Sequence, residues 1–335
     1  MFKYYQKICI LFLIIMTINC DIITSSSDIE FDKILTTSGR DFTPYLSPDN
    51  RYIAFRTVRN TYNPTVAAVN FELWMMFSNG NFERPLISRK IFKNFVSVNE
   101  VLWYPNSHNI LVKVSLKDNN EIWKVSLFGY KEKINLFHNS PHDLRLSPNG
   151  HKIAYRSSGR LYVANSNGTE PVLIDDGVSL GYAWKYDSQS LIYSLYDNVN
   201  NNYDIWCSSV DGIEKTRISE TLSSEKDPSY SFDGKYIAYS TNNELYITPS
   251  QVFQPKKLLT NARHPKWVPG KYLIYIHSEQ THDSLSSWTE SWIVDLNGNI
   301  TKKIAEGHYT EVDFSQDGEY YIYILDGNIW IARFP

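Results

Sequence analysis

Short runs of alternating apolar and polar residues recur along almost the whole chain. The stretch Tyr230–Ser240, YSFDGKYIAYS, shows the unit: a large apolar residue, a polar turn with Asp-Gly, then an alternating strand. That pattern predicts a β-hairpin. Copies open at Leu46, Trp103, Leu146, Trp184, Tyr230, Trp267 and Phe314, the sixth one residue short. Successive openings lie 57, 43, 38, 46, 37 and 47 residues apart. Each hairpin is followed by an alternating run with an aromatic residue near its centre, such as FELWMMF, YDIWCSS or GNIWIAR. Six copies then add a polar turn and a fourth run, such as ERPLIS or PKKLLT. A period in the forties made of four short strands is the length of one propeller blade. The predicted fold is therefore all-β: a seven-bladed β-propeller of four-stranded antiparallel blades, with six or eight blades as the alternatives.

The seventh copy stops at Pro335, straight after its third strand. The segment FDKILTT, Phe31 to Thr37, reads like the fourth strands and precedes the first hairpin. It is expected to pair into the last blade and close the ring, which removes exposed sheet edges. Domain organisation follows: residues 1–19 a signal peptide, 20–29 a tether, and 30–335 a single propeller.

The signal peptide rests on the first twenty residues. Lys3 and Lys7 precede the apolar run ICILFLIIM, Ile8 to Met16, which is short for a bilayer span. The run exits at TINC, ending in Cys20. This resembles a bacterial lipoprotein signal, in which the exit cysteine is lipidated and becomes the new N-terminus. Thr17 and Asn19 depart from the usual Leu and Gly or Ala of that box. Processing would leave Cys207 as the last thiol, so no intramolecular disulfide is expected. The loss of Lys3 and Lys7 moves the formal charge from −3 to −5. No basic excess remains to neutralise phosphates, so nucleic acid is not an expected partner. Aromatic residues at 15% support strands, because flat and branched side chains fit a pleated surface.

Ser-Pro-Asp-Asn-x-x-Ile-Ala-Phe at 47–55, Ser-Pro-Asn-Gly-x-x-Ile-Ala-Tyr at 147–155 and Ser-Phe-Asp-Gly-x-x-Ile-Ala-Tyr at 231–239 resemble the WD-like repeat of TolB-type β-propellers. The same repeat occurs in the propellers of prolyl oligopeptidase-like enzymes and in oligogalacturonate lyases. The resemblance implies the fold across nearly the whole mature chain, and protein partners in the cell envelope. TolB itself has six blades and an extra N-terminal α/β domain; neither is read in this chain. Fold alone does not fix function.

The search for chemistry returns little. The chain has no Gly-x-Ser-x-Gly, no His-Glu-x-x-His and no Cys-x-x-Cys. The acidic turn IDDG, Ile174 to Gly177, reads as a solvated turn, and Cys207 as a small residue in a third strand. Two polar insertions, near residues 58–72 and at His277–Ser291, are candidate binding loops.

The sharper candidate is positional. Three residues before each opening residue stand Thr43, Glu100, Asp143, Gly181, Asp227, His264 and Glu311, and His142 adjoins Asp143. The first strand of a blade lines the central channel, so Glu100, His142, Asp143, Asp227, His264 and Glu311 would form an acidic ring with two imidazoles at one mouth. Such a ring would suit a cation or a basic peptide end; no other cofactor is expected. Asp227-Pro228 and His264-Pro265 also read as plain turn formers. The reading that emerges is a monomeric, exported, membrane-anchored lipoprotein on the periplasmic side or the cell surface. It would bind an envelope protein, a peptide or another ligand, as TolB-type resemblance implies, and lacks an enzyme's motifs. The alternative is a carbohydrate-active lyase or hydrolase with a metal site in the channel. Carboxylates around His142 and His264 would repel an acidic sugar, which counts against it.

Overall fold

The computed structural model describes residues 33–334 apart from 61–69, 139, 272, 283–285 and 307–311. Regular structure among the described residues is all β, arranged as seven four-stranded antiparallel sheets. In six sheets the strands lie in chain order, spanning residues 41–87, 95–134, 142–176, 178–217, 226–260 and 263–306. The seventh orders Lys33–Ile34, Asn328–Arg333, Tyr320–Leu325 and Val312–Phe314. Its outer strand comes from the other end of the chain, with Lys33 opposite Ile331 and Ile34 opposite Trp330. Leu35 N–H extends this pairing to Ile329 O at 2.7 Å. Of the FDKILTT segment, residues 31 and 32 lie outside the described residues, as do the signal segment and Cys20.

The repeat motif is a turn built on its serine. Ser231 Oγ donates to Asp233 Oδ1 at 2.8 Å and accepts the N–H of Tyr236 at 3.0 Å. The same carboxylate oxygen accepts Lys235 N–H at 3.0 Å. Ser47 with Asp49, and Ser147 with Asn149, repeat this arrangement. The serines are buried, so each hydroxyl satisfies backbone that water does not reach.

The strand after the turn packs between sheets. Ala54, Ala154 and Ala238, the small residue of each Ile-Ala-aromatic run, are fully buried. The core is distributed between neighbouring sheets: Ile53, Phe55 and Met76 of the first pack on Tyr320, Ile322 and Ile331 of the last. Indoles fasten adjacent inner strands. Trp103 Nε1 donates to Tyr45 O, Trp184 Nε1 to Arg145 O and Trp267 Nε1 to Ser229 O, each at 3.0 Å. Carboxylates serve at two other joints: Glu100 Oε2 accepts Leu144 N–H at 2.7 Å, and Asp313 Oδ2 accepts Leu46 N–H at 2.8 Å.

The insertion His277–Ser291 is not an irregular loop. The strands Leu273–His282 and Ser286–Asp295 stay in register from Leu273 opposite Asp295 to His282 opposite Ser286. The insertion is a longer hairpin, rising beyond the second and third strands of the other sheets. Most of the first insertion, residues 61–69, lies outside the described residues.

Candidate functional site at the channel mouth

At five of the seven openings, the position three residues before the opening residue has a backbone explanation. Inner strands slip register there, between Phe42 and Pro44, His142 and Arg145, Val178 and Tyr182, Lys226 and Ser229, and Arg263 and Lys266. Thr43, Asp143, Gly181, Asp227 and His264 all take positive φ, between 42° and 97°. Each is the extra residue of a β-bulge, which kinks the strand and re-aims a side chain. Short polar residues and glycine tolerate that conformation best, which accounts for much of the Asp and Gly at this position. Gly181 is needed for a second reason. A Cβ there would lie 2.9 Å from Asp227 Oδ1 and 3.0 Å from Asp227 Cα.

These bulges line a pocket of about 800 Å³. Asp143, Gly181, Asp227 and His264 are on its wall. So are four cations, Arg145, Arg156, Lys226 and Arg263, and the polar run Ser240, Thr241, Asn242 and Asn243. The pocket sits where inner strands begin, second strands end and the Asn242–Asn243 turn joins the second strand to the third. That is one mouth of the channel.

The expected acidic ring has a different electrostatic character. Asp143 Oδ2 is 3.1 Å from Arg156 Nε, and its Oδ1 is 3.4 Å from Arg145 Nε. Asp227 Oδ2 meets His264 Nδ1 at 3.0 Å and accepts from Ser240 Oγ at 3.4 Å. Glu100 has turned to joining sheets, with Lys113 Nζ 3.3 Å from its other oxygen. His142 is exposed, with Nδ1 3.3 Å from Ser140 O, and is not on the pocket wall. Glu311 lies outside the described residues. Asp143, Asp227 and His264 are thus brought together, and the described wall carries more positive than negative charge.

One of these cations, Arg156, follows a repeat rule not visible in charge counts. The residue just after the Ile-Ala-aromatic run reaches the bulge of its own sheet. Arg56 Nε donates to Thr43 Oγ1 at 2.9 Å, and Arg156 and Ser240 make the contacts above. Lys113, at the same repeat position, meets Glu100, which is not a bulge residue, at 3.3 Å. Arg145 is further held with its guanidinium 4.7 Å from the Tyr182 ring centroid. Tyr182 is buried and donates its hydroxyl to the carbonyls of Asp143 and Ala154. Burial, reinforced by the Asp143 charge, raises its pKa well above the usual phenol value, so it stays a donor.

The other candidates are structural. Asp175 accepts Tyr193 Oη at 2.9 Å and pairs with Lys215 at 2.9 Å, while Asp176 pairs with Arg160 at 3.0 Å. Cys207 is half-buried, and burial raises its thiol pKa.

No protein-family model matches the sequence. No curated protein matches it either. Solved structures do. A TolB of Agrobacterium tumefaciens superposes with a TM-score of 0.52 at 16% identity, over 78% of this chain and 94% of that one. TolB of Acinetobacter baumannii gives 0.54 at 16% identity, over 78% and 65%. The fold is TolB-like. Oligogalacturonate lyase in complex with manganese gives 0.65 at 12% identity, over 90% of this chain and 92% of that one. Hydrazine synthase of Kuenenia stuttgartiensis gives 0.60 at 14%, over 93% and 99%. At these identities the likeness is one of fold, shared by proteins of unlike chemistry. Among its described residues, the pocket offers no fit for a manganese ion. Its carboxylates are already engaged by Arg145, Arg156 and His264, and among the described residues no group of three His, Cys, Asp or Glu could hold a metal.

Proposed function

We propose that the protein is an exported, lipid-anchored β-propeller that binds a protein segment or another ligand at its channel mouth. The pocket formed by the bulged inner strands carries this reading. It is large enough for a ligand of several hundred Å³, and its described wall is built wholly of polar and charged side chains plus Gly181. The Cys20 signal supports the anchor, and the TolB-like fold supports a binding role.

The topology gives this reading an orientation. Lys33–Ile34 runs antiparallel to Asn328–Arg333, which starts at the pocket end of its sheet. The chain therefore travels towards the pocket end as it enters the propeller. With the anchor on the side from which this strand enters, the pocket would stay open to partners.

Two measurements test the proposal in the native host. Wild-type protein should fractionate with membranes and Cys20→Ser should be released; equal release of both would refute the anchor. A photo-crosslinking residue at Asn242 should capture a specific partner, and one at Lys235, at the far end of the same sheet, should not. Capture from Lys235 alone would move the binding surface away from the pocket.

A further inference from the structure

The pocket wall is more specific than a generic binding surface. Two carboxylates face four cations from four separate inner or second strands. Asp143 lies between Arg156 and Arg145, and Asp227 against His264. Asp143 thus holds Arg145 and Arg156, and among the described lining residues the cations outnumber the carboxylates. The Arg145 guanidinium is packed over the Tyr182 ring, and its Nε and Nη2 each stand 3.4 Å from Asp143 Oδ1, so its plane is set before any ligand arrives. Arginine forks suit carboxylates, which accept two parallel N–H bonds. Thr241 adds an independent observation. It is 7% exposed and lines the pocket, and its hydroxyl has no hydrogen-bond partner among the described residues. Buried hydroxyls are normally satisfied.

Resting on the binding role given above, we propose that the pocket takes the carboxylates of an acidic peptide segment. The ligand's charge is then opposite to that expected of an acidic ring. A peptide is favoured over an acidic sugar by what the wall lacks. Apart from the His264 imidazole, no aromatic or apolar side chain lies among its described lining residues, so nothing offers a flat face to a sugar ring. Charge and hydrogen bonds alone suit a flexible, charged chain.

Fluorescence polarisation of the full chain in detergent tests this, with labelled hexaglutamate and hexalysine as probes and trigalacturonate as competitor. Hexaglutamate should bind saturably, more weakly as salt rises, and hexalysine should not. Lys226→Gln, an exposed site whose loss leaves the fold intact, should weaken binding about tenfold or more, and Arg263→Gln likewise. Lys235→Gln, at the opposite end, should leave it unchanged. Preference for hexalysine, or hexaglutamate binding indifferent to both substitutions, would overturn the proposal. Trigalacturonate displacing the peptide at lower concentration than unlabelled hexaglutamate would replace it with a sugar ligand. If hexaglutamate fails while Asn242 still crosslinks a partner, the ligand class is wrong and the binding role stands.

Discussion

Ser231→Ala separates a structural motif from a functional one. The serine, an aspartate and a tyrosine lie close together in YSFDGKYIAYS, a combination that invites a catalytic reading. The structure gives the hydroxyl two bonds, to Asp233 Oδ1 at 2.8 Å and from Tyr236 N–H at 3.0 Å, and buries the residue to 2% exposure. Alanine deletes both. Asp233 keeps Lys235 N–H at 3.0 Å and turns to water, so its loss is small. Tyr236 N–H is left without its acceptor inside the turn, which costs about 1–3 kcal/mol, with about 1 kcal/mol more for the second bond. The expected destabilisation is about 2–4 kcal/mol. At roughly 2 °C per kcal/mol for a large domain, Tm should fall by about 4–8 °C in calorimetry. Ser147→Ala should do the same in its own sheet, and the two should add, because the turns share no partner. Hexaglutamate binding should not change, since the turn lies at the far end from the pocket. An unchanged Tm together with lost binding would refute the structural account of the motif.

Three other perturbations address the ring and the pocket. Glu225 is buried, accepts Ser219 Oγ at 3.0 Å and Thr221 Oγ1 at 2.5 Å, and has its pKa raised by burial first, with the nearby Asp204 adding to it. Its proton is held more tightly folded than unfolded, so stability falls as pH rises through the unfolded value and levels off above the folded one. Glu225→Gln should therefore raise Tm at pH 7 and make no difference below about pH 4, where both states are protonated; a difference confined to acid would contradict this. Glu100→Ala removes an acceptor of Leu144 N–H and the partner of the mostly buried Lys113, and should cost about 2–4 kcal/mol in urea unfolding. Gly181→Ala, at φ 97° and against Asp227, should abolish hexaglutamate binding by displacing the pocket wall, whereas Gly129→Ala, with open space around it, should not.

Much of the fold was legible in the sequence because one hairpin recurs with its serine, its turn and its Ile-Ala-aromatic strand. Each copy has the same packing problem and the same solution. The closing strand, seen at Lys33–Ile34, was legible by elimination, as the one fourth strand missing from the C-terminal copy. The site was legible in place but not in character. Three residues before five of the seven opening residues the strand carries a bulge, and Asp143, Gly181, Asp227 and His264 of these line one pocket. Their charge balance was hidden because the compensating cations come from elsewhere: Arg145 two residues on, Arg156 from the second strand, Lys226 and Arg263 from beside the next bulges. The recurring basic residue after Ile-Ala-aromatic, Arg56 and Arg156, was the available signal. Glu100 misled because a carboxylate near a channel serves equally well as a backbone acceptor between sheets.

The central claim is that the bulged channel mouth, and not the turns or the outer strands, is the binding surface. Photo-crosslinking in intact cells from Asn242, paired with Lys226→Glu in the same protein, tests it most directly. The account predicts one dominant crosslinked partner from Asn242, lost when Lys226 is reversed in charge. The same partner captured equally well with Lys226→Glu, or captured from Lys235 and not from Asn242, would contradict it.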